Sequence, residues 1–312
     1  MPSTLATPPT ELTRMKGSGF RHYEKVILAY FVYLPCLGLV RHLRAEKILA
    51  LLAITAALGS IWRLQSRSDR AYVKVARDWW PLGLILVAYW AMGWFTRPPR
   101  IGLQQTLLSL DRLILDRGHL RNIVEVAGPL FPGTLETVYF LLYAIPPICL
   151  GILYACGERA QAPRFLLFVF AGTLTVYGLL PYVTVLSPRV EFPNTDLPHY
   201  NGFVRHLNTW VLDHWDVPIS VLPSGHVAVA FSSALGMVRV LPRRPIIGRC
   251  VLAVAGAVYL ATVYCRYHYA VDGLVSMVMV SGVCLLAAWT LDSKRTAEKD
   301  PAAALRRQAG VE

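Results

Sequence analysis

The sequence predicts an all-α integral membrane protein, a bundle of about eight transmembrane helices. Three observations lead there. Of 312 residues, 55% are hydrophobic and only 16% charged, whereas soluble domains carry about a quarter charged residues. The apolar residues are gathered into long runs. The arginines fall in the short stretches between those runs, which is how cytosolic loops of membrane proteins are marked. The net charge of +12 therefore points to membrane orientation and to anionic headgroups. No basic helix or aromatic platform suits a nucleic acid, so that class of partner is excluded.

Residues 1–22 are polar, with Pro8, Pro9, Arg14, Lys16 and Arg21. They lack the apolar core and small-residue cleavage site of a signal peptide and read as a cytosolic tail. Residues 23–134 hold the first helices. Runs near 23–40 and 48–62 are short of the roughly 20 residues a span needs, and snorkelling from Arg41, Arg44 and Lys47 extends them. A basic loop, 63–78, leads to a third run ending near Phe95. Its Trp79, Trp80, Trp90 and Trp94 suit an interface. Within 96–134, Leu103, Leu107, Leu110 and Ile114 recur at helical spacing among Asp111, Arg112, Asp116 and Arg117. That pattern fits an amphipathic helix lying in the interface, or an extra-membrane helix packed on the bundle.

Residues 135–291 carry five more runs: 135–156, kinked at Pro146 and Pro147, then 165–186, 224–241, 250–265 and 269–289. A polar connection, 187–221, holds Arg189, His199, His206 and His214. The tail 292–312 is charged and loose. Eight spans put both termini, and the basic stretches 63–78, 157–164 and 242–249, on the cytosolic side. Arg189, His226 and His268 then share the outer side. The basic loop 41–47 is the exception to this charge pattern. The cysteines, Cys36, Cys149, Cys156, Cys250, Cys265 and Cys284, lie in or beside apolar runs. They read as small buried side chains, not as disulfides or metal ligands.

Chemistry concentrates at two run starts. His268 and Asp272 are four residues apart, a spacing that stacks their side chains on one helix face. A carboxylate on one imidazole nitrogen fixes the tautomer and leaves the other nitrogen free as a nucleophile or base. Pro223-Ser224-Gly225-His226 opens another run. Ser224 is a strong N-cap, and the N–H groups beyond it form an anion site into which His226 can deliver a proton. Arg189 supplies a fork suited to phosphate. These residues make a phosphoryl-transfer site. With no cluster at metal-ligand spacing, neither metal nor cofactor is expected.

The arrangement resembles the type 2 phosphatidic acid phosphatase superfamily of membrane lipid phosphate phosphatases. Its Pro-Ser-Gly-His signature stands unchanged at 223–226, and its His-x-x-x-Asp at His268 and Asp272. The resemblance implies a six-helix core within the bundle, with the catalytic part at 135–291. His268 would become a phosphohistidine, Asp272 would orient it, and His226 would protonate the leaving alcohol. Arg189, Ser224, Gly225 and Arg266 would hold the phosphate. The departures are specific. Ala261 and Thr262 stand where the third signature opens with Ser-Arg, Tyr182 stands in the lysine position of the first, and Ser276 replaces a glycine. Ser187-Pro188-Arg189 and the pattern Thr262-x-Tyr264 to His268-Tyr269-x-Val271-Asp272 are closer to the branch containing inositol phosphorylceramide synthase. Arg266 would replace the lost arginine if the chain is extended there.

The expected function is thus a metal-independent lipid phosphatase or phosphotransferase acting on a phospholipid or isoprenoid phosphate. The alternatives are a headgroup phosphotransferase with an alcohol acceptor, and a non-catalytic lipid binder or transporter. The expected location is a bacterial inner or plasma membrane, with the site facing the exterior or periplasm.

Overall fold

The computed structural model describes residues 19–299 except 127, 193–197, 218 and 220, and of 294–299 only the backbone. Most of both expected tails lies outside the described residues. The helices in order are α1 (His22–Val40), α2 (Ala45–Ser66), α3 (Ala71–Trp79), α4 (Leu84–Gly93), α5 (Ile101–Arg112), α6 (Leu120–Val126) and α7 (Leu130–Phe140). They are followed by α8 (Ile145–Ala155), α9 (Ala162–Leu179), α10 (Pro188–Glu191), α11 (Phe203–Trp215), α12 (Gly225–Val240), α13 (Pro245–Tyr264) and α14 (Ala270–Lys299). Among the described residues β-pairing is limited to one isolated bridge, Leu186 with Ile219. The fold is all-helical, as expected.

Five stretches are long and apolar enough to cross a membrane: His22–Val40, Ala45–Ser66, Arg159–Tyr182, Pro245–Tyr264 and Ala270–Ser293. The bent pair Leu130–Phe140 and Leu142–Ala155, angled by 49°, makes up to six. This is fewer than the eight expected. The expected basic loop 63–78 is largely helical, α2 running to Ser66 and α3 covering Ala71–Trp79, while the third run opens with a short 3₁₀ turn at Pro81 that leaves only the ten residues of α4, and α12 is a shorter apolar helix. The first two runs, by contrast, extend to 19 and 22 residues. The bend in the fourth run falls at 141–144, just before Pro146 and Pro147, because prolines at a helix start leave no amide unsatisfied. The tail also begins later than expected. Good helix formers after Asp292 carry α14 to Lys299.

The span around α9 is 78% buried, against 17% for those of α2 and α14. α9 is therefore the central helix, packed by α1, α4, α12 and α14. Close approach to α12 requires Gly172, where a Cβ would lie 2.8 Å from Ser232 Cβ. Small residues admit such backbone contacts in a medium that supplies no hydrophobic drive between helices. Cys36 and Cys250 are exposed rather than buried, since they sit on the outward faces of α1 and α13.

Polar groups collect at the two ends. At one, Asp78 accepts hydrogen bonds from Arg21 (2.5 Å) and Tyr154 (2.6 Å), and Arg77 makes a two-pronged pair with buried Glu24 at 2.5 and 2.7 Å. At the other end α5 packs on the bundle through Gln104, which bonds Tyr269 and Leu186. Removing one partner of the Arg77–Glu24 pair strands a buried charge. Arg77→Ala should cost about 3–5 kcal/mol, and Arg77→Leu with Glu24→Leu should cost less than Arg77→Ala. Thermal unfolding in detergent measures both.

Candidate active site

The turn between α13 and α14 supplies one wall of the site. α13 closes with Tyr267 N–H on Thr262 O at 3.0 Å and Arg266 N–H on Val263 O at 3.2 Å. This is the Schellman pattern, whose left-handed residue is usually glycine. Here it is Arg266, with φ of 66°, a conformation costing a side-chain-bearing residue about 1–2 kcal/mol. Its guanidinium is buried in an ion pair with Asp111 of α5. Asp111 also accepts the Ala270 N–H at 2.9 Å and so caps α14 from another helix. Asp272, in the first turn of α14, accepts from Tyr269 N–H at 3.0 Å.

The same Asp272 Oδ2 lies 3.3 Å from His268 Nδ1. A carboxylate only accepts, so Nδ1 carries the proton and Nε2 presents its lone pair. His226 Nδ1 lies 2.9 Å from that Nε2 and is therefore the donor. The second nitrogen of His226 faces the Tyr139 hydroxyl at 3.4 Å. Burial pushes His268 down from its usual 6.5 to about 4, so the ring is neutral at pH 7.

The Pro-Ser-Gly-His segment holds His226 in place. Ser224 caps α12, its Oγ accepting Val227 N–H at 3.3 Å. Its own N–H donates to the Asp272 carbonyl at 3.1 Å. Ser276, where the resemblance led to glycine, donates to the Ser224 and Asp272 carbonyls at 2.9 and 3.0 Å. Gly225 leaves room for Tyr177, whose Cε1 would be 2.7 Å from an added Cβ.

Arg189, Gly225, His226 and His268 line one cavity with Tyr89, Tyr139, Asp216 and Tyr267. It encloses about 10 Å³, room for roughly one water. Two expected phosphate ligands stand elsewhere. Ser224 lies behind Gly225 as a cap. Arg266 is turned to Asp111, and only its carbonyl reaches the site, accepting Arg189 N–H at 3.0 Å. Tyr182 is outside, stacked with Arg41. His199, His206 and His214 are exposed.

Sequence reasoning missed the groups around Arg189. Its guanidinium donates to Asp213 at 2.9 Å and Asp216 at 3.0 Å, and Tyr89 donates to Asp216 at 2.5 Å. Glu136 accepts from Arg205 and Asn208 at 2.7 Å each and from Tyr267 at 2.8 Å. Tyr267 in turn stacks on Tyr139, centroids 4.1 Å apart. A signal was present: Arg205, Asn208, Leu212 and Asp216 recur at spacings of one helix face. Beside this cavity a second, apolar one of about 300 Å³ is lined by Leu86, Trp90, Phe140, Tyr143, Val211 and Trp215. The two share Tyr89, Tyr139, Leu212, Asp216 and His226.

The profile of the PAP2 superfamily matches residues 105–286, more than half of the chain. The protein belongs to that superfamily, whose members are generally phosphatases or phosphotransferases. No curated protein and no solved structure gives a significant match.

Because His268 is neutral in the fold down to about pH 4 but protonates near 6.5 when unfolded, the unfolded chain binds the extra proton between those values. Stability should therefore fall as pH drops from 6.5 through 4. His268→Asn should flatten that slope in denaturation curves recorded across the range.

Proposed function

We propose that this protein is a membrane-embedded, metal-independent lipid phosphatase or phosphotransferase working through a phosphohistidine. The observation that carries the reading is the chain Asp272–His268–His226, at 3.3 and 2.9 Å. Asp272 holds the proton on His268 Nδ1, so Nε2 can attack phosphorus while the bond from phosphorus to the lipid oxygen breaks. His226 Nδ1 gives its proton to that oxygen, releasing a neutral alcohol. Water or an acceptor alcohol then passes its proton to His226 and attacks phosphorus, and His268 leaves with its lone pair. Arg189 and the amides opening α12 offset charge on the phosphoryl oxygens.

The apolar cavity supports a lipid as the leaving alcohol, because it opens beside the proposed acid. A phospholipid or an isoprenoid phosphate fits that description. Transfer of a headgroup to an alcohol, in the manner of inositol phosphorylceramide synthase, is favoured by the sequence pattern around His268 and by the single arginine in the cavity. Among the described residues no three His, Cys, Asp or Glu side chains are grouped to hold a metal, and no step needs one.

His268→Ala should lower turnover of lipid phosphates by several orders of magnitude, and Asp272→Asn by about 10³–10⁴. His226→Ala should impair lipid substrates more than an activated aryl phosphate, whose leaving group needs no proton. EDTA should leave turnover unchanged. Purified protein in detergent, with free phosphate and new lipid species followed together, tests these outcomes. Full activity in His268→Ala, or loss to EDTA reversed by a divalent ion, would sink the reading.

We place the site on the outer face and both termini in the cytosol, from the arginine density of the loops. In a cysteine-free background an impermeant thiol reagent on intact cells should label a cysteine at 199 and spare one at 243.

A further inference from the structure

The proposed chemistry uses Arg189 as its cation and gives no task to the carboxylates beside it. Asp216 lines the catalytic cavity itself, with a side chain only 10% exposed. Asp213, half exposed, takes the other prong of the guanidinium. Tyr89 fixes the second oxygen of Asp216 and accepts the Val217 N–H at 3.2 Å, so this carboxylate is held from two sides. The other carboxylates nearby have hydrogen-bond partners of their own. Asp272 is bonded to His268, and Glu136 to Arg205 behind Tyr267. The guanidinium nearest the phosphate position is thus in direct contact with two carboxylates.

That balance discriminates between phosphates. A monoester carries close to two negative charges at pH 7, with a second ionisation near pH 6. A diester carries one at any such pH. Repulsion between a dianion and a buried carboxylate is only weakly screened. We propose that Asp216 is a specificity-determining residue that restricts the site to monoanionic phosphate, making phosphodiester lipids its substrate class and disfavouring dianionic monoesters. This rests on the phosphohistidine reading above. Atoms balance as before. The bond from phosphorus to the lipid oxygen breaks, His226 supplies the proton of the released alcohol, and the headgroup stays esterified on phosphorus at His268 until an alcohol or water takes it.

The test compares phosphatidic acid with phosphatidylinositol, phosphatidylglycerol and phosphatidylethanolamine of identical acyl chains, in one detergent, with release of diacylglycerol as the readout. At pH 7.5 the best diester should exceed phosphatidic acid by about tenfold or more in kcat/KM, equivalent to about 1.4 kcal/mol. Lowering the pH to 5.5 should raise turnover of phosphatidic acid, as it becomes a monoanion, relative to the diester. Asp216→Asn should raise phosphatidic acid relative to the best diester by a similar factor and flatten its pH dependence. If that variant is inactive or misfolded, the wild-type pH comparison decides. Preference for phosphatidic acid at pH 7.5, or an unchanged ratio in active Asp216→Asn, overturns the proposal. Turnover of phosphatidic acid alone, abolished in His268→Ala, overturns it while leaving the phosphohistidine reading intact. Absence of turnover on every lipid counts against both.

Discussion

The site depends on Asp272 bonding in two directions. Its side chain accepts from His268 and from the Tyr269 backbone, while its carbonyl accepts from Ser224 N–H and Ser276 Oγ. The residue that sets the tautomer of one histidine is therefore also the splice joining its segment to the one that carries the other. Buried polar groups in an apolar bundle are costly unless paired. That cost is what makes the splice specific. A shift of α14 by one residue would strand the Ser224 amide and the His268 ring together.

The turn before Asp272 shows the same economy. A left-handed arginine is an unfavourable choice where glycine would serve. Glycine, however, could not reach Asp111. The ion pair between Arg266 and Asp111, with the Asp111 bond to Ala270 N–H, ties the turn to α5 and caps α14. The Arg266 carbonyl is left facing Arg189 N–H. α5, α10 and the two signature segments are thereby fixed relative to one another with few polar atoms.

What the sequence made legible follows from distance along the chain. The contact of His268 with Asp272 is a four-residue spacing, and the cap of α12 by Ser224 is a three-residue one, so both could be read from local geometry. The pairing of Asp111 with Arg266 spans 155 residues and that of Tyr89 with Asp216 spans 127; no local rule reaches so far. Arg266 is turned from the cavity for a related reason: its backbone is not extended but left-handed, a turn that an arginine in the sequence does not announce. Five of the apolar runs are long unbroken spans, or six with the bent pair, because hydropathy registers apolar content and not the break at Pro81 or the shortness of α12.

A net charge of +12 on its face suits a highly charged substrate. The arrangement of side chains argues otherwise. Arg21, Arg77 and Arg159 are matched to Asp78 and Glu24 at the end away from the histidines. Arg205 and Arg266 are matched to buried carboxylates near the site. Of the cations at the end that holds the histidines, Arg189 is the one lining the cavity, and it is held by two aspartates. Most of the excess positive charge thus lies away from the cavity, in the stretches between the apolar runs. The local field in the cavity is dominated by Arg189 and its two carboxylates, because interactions across a buried site fall off far less than those screened through solvent. Overall charge and cavity charge have opposite tendencies here: the chain is strongly basic, while the arginine lining the cavity is flanked by two carboxylates.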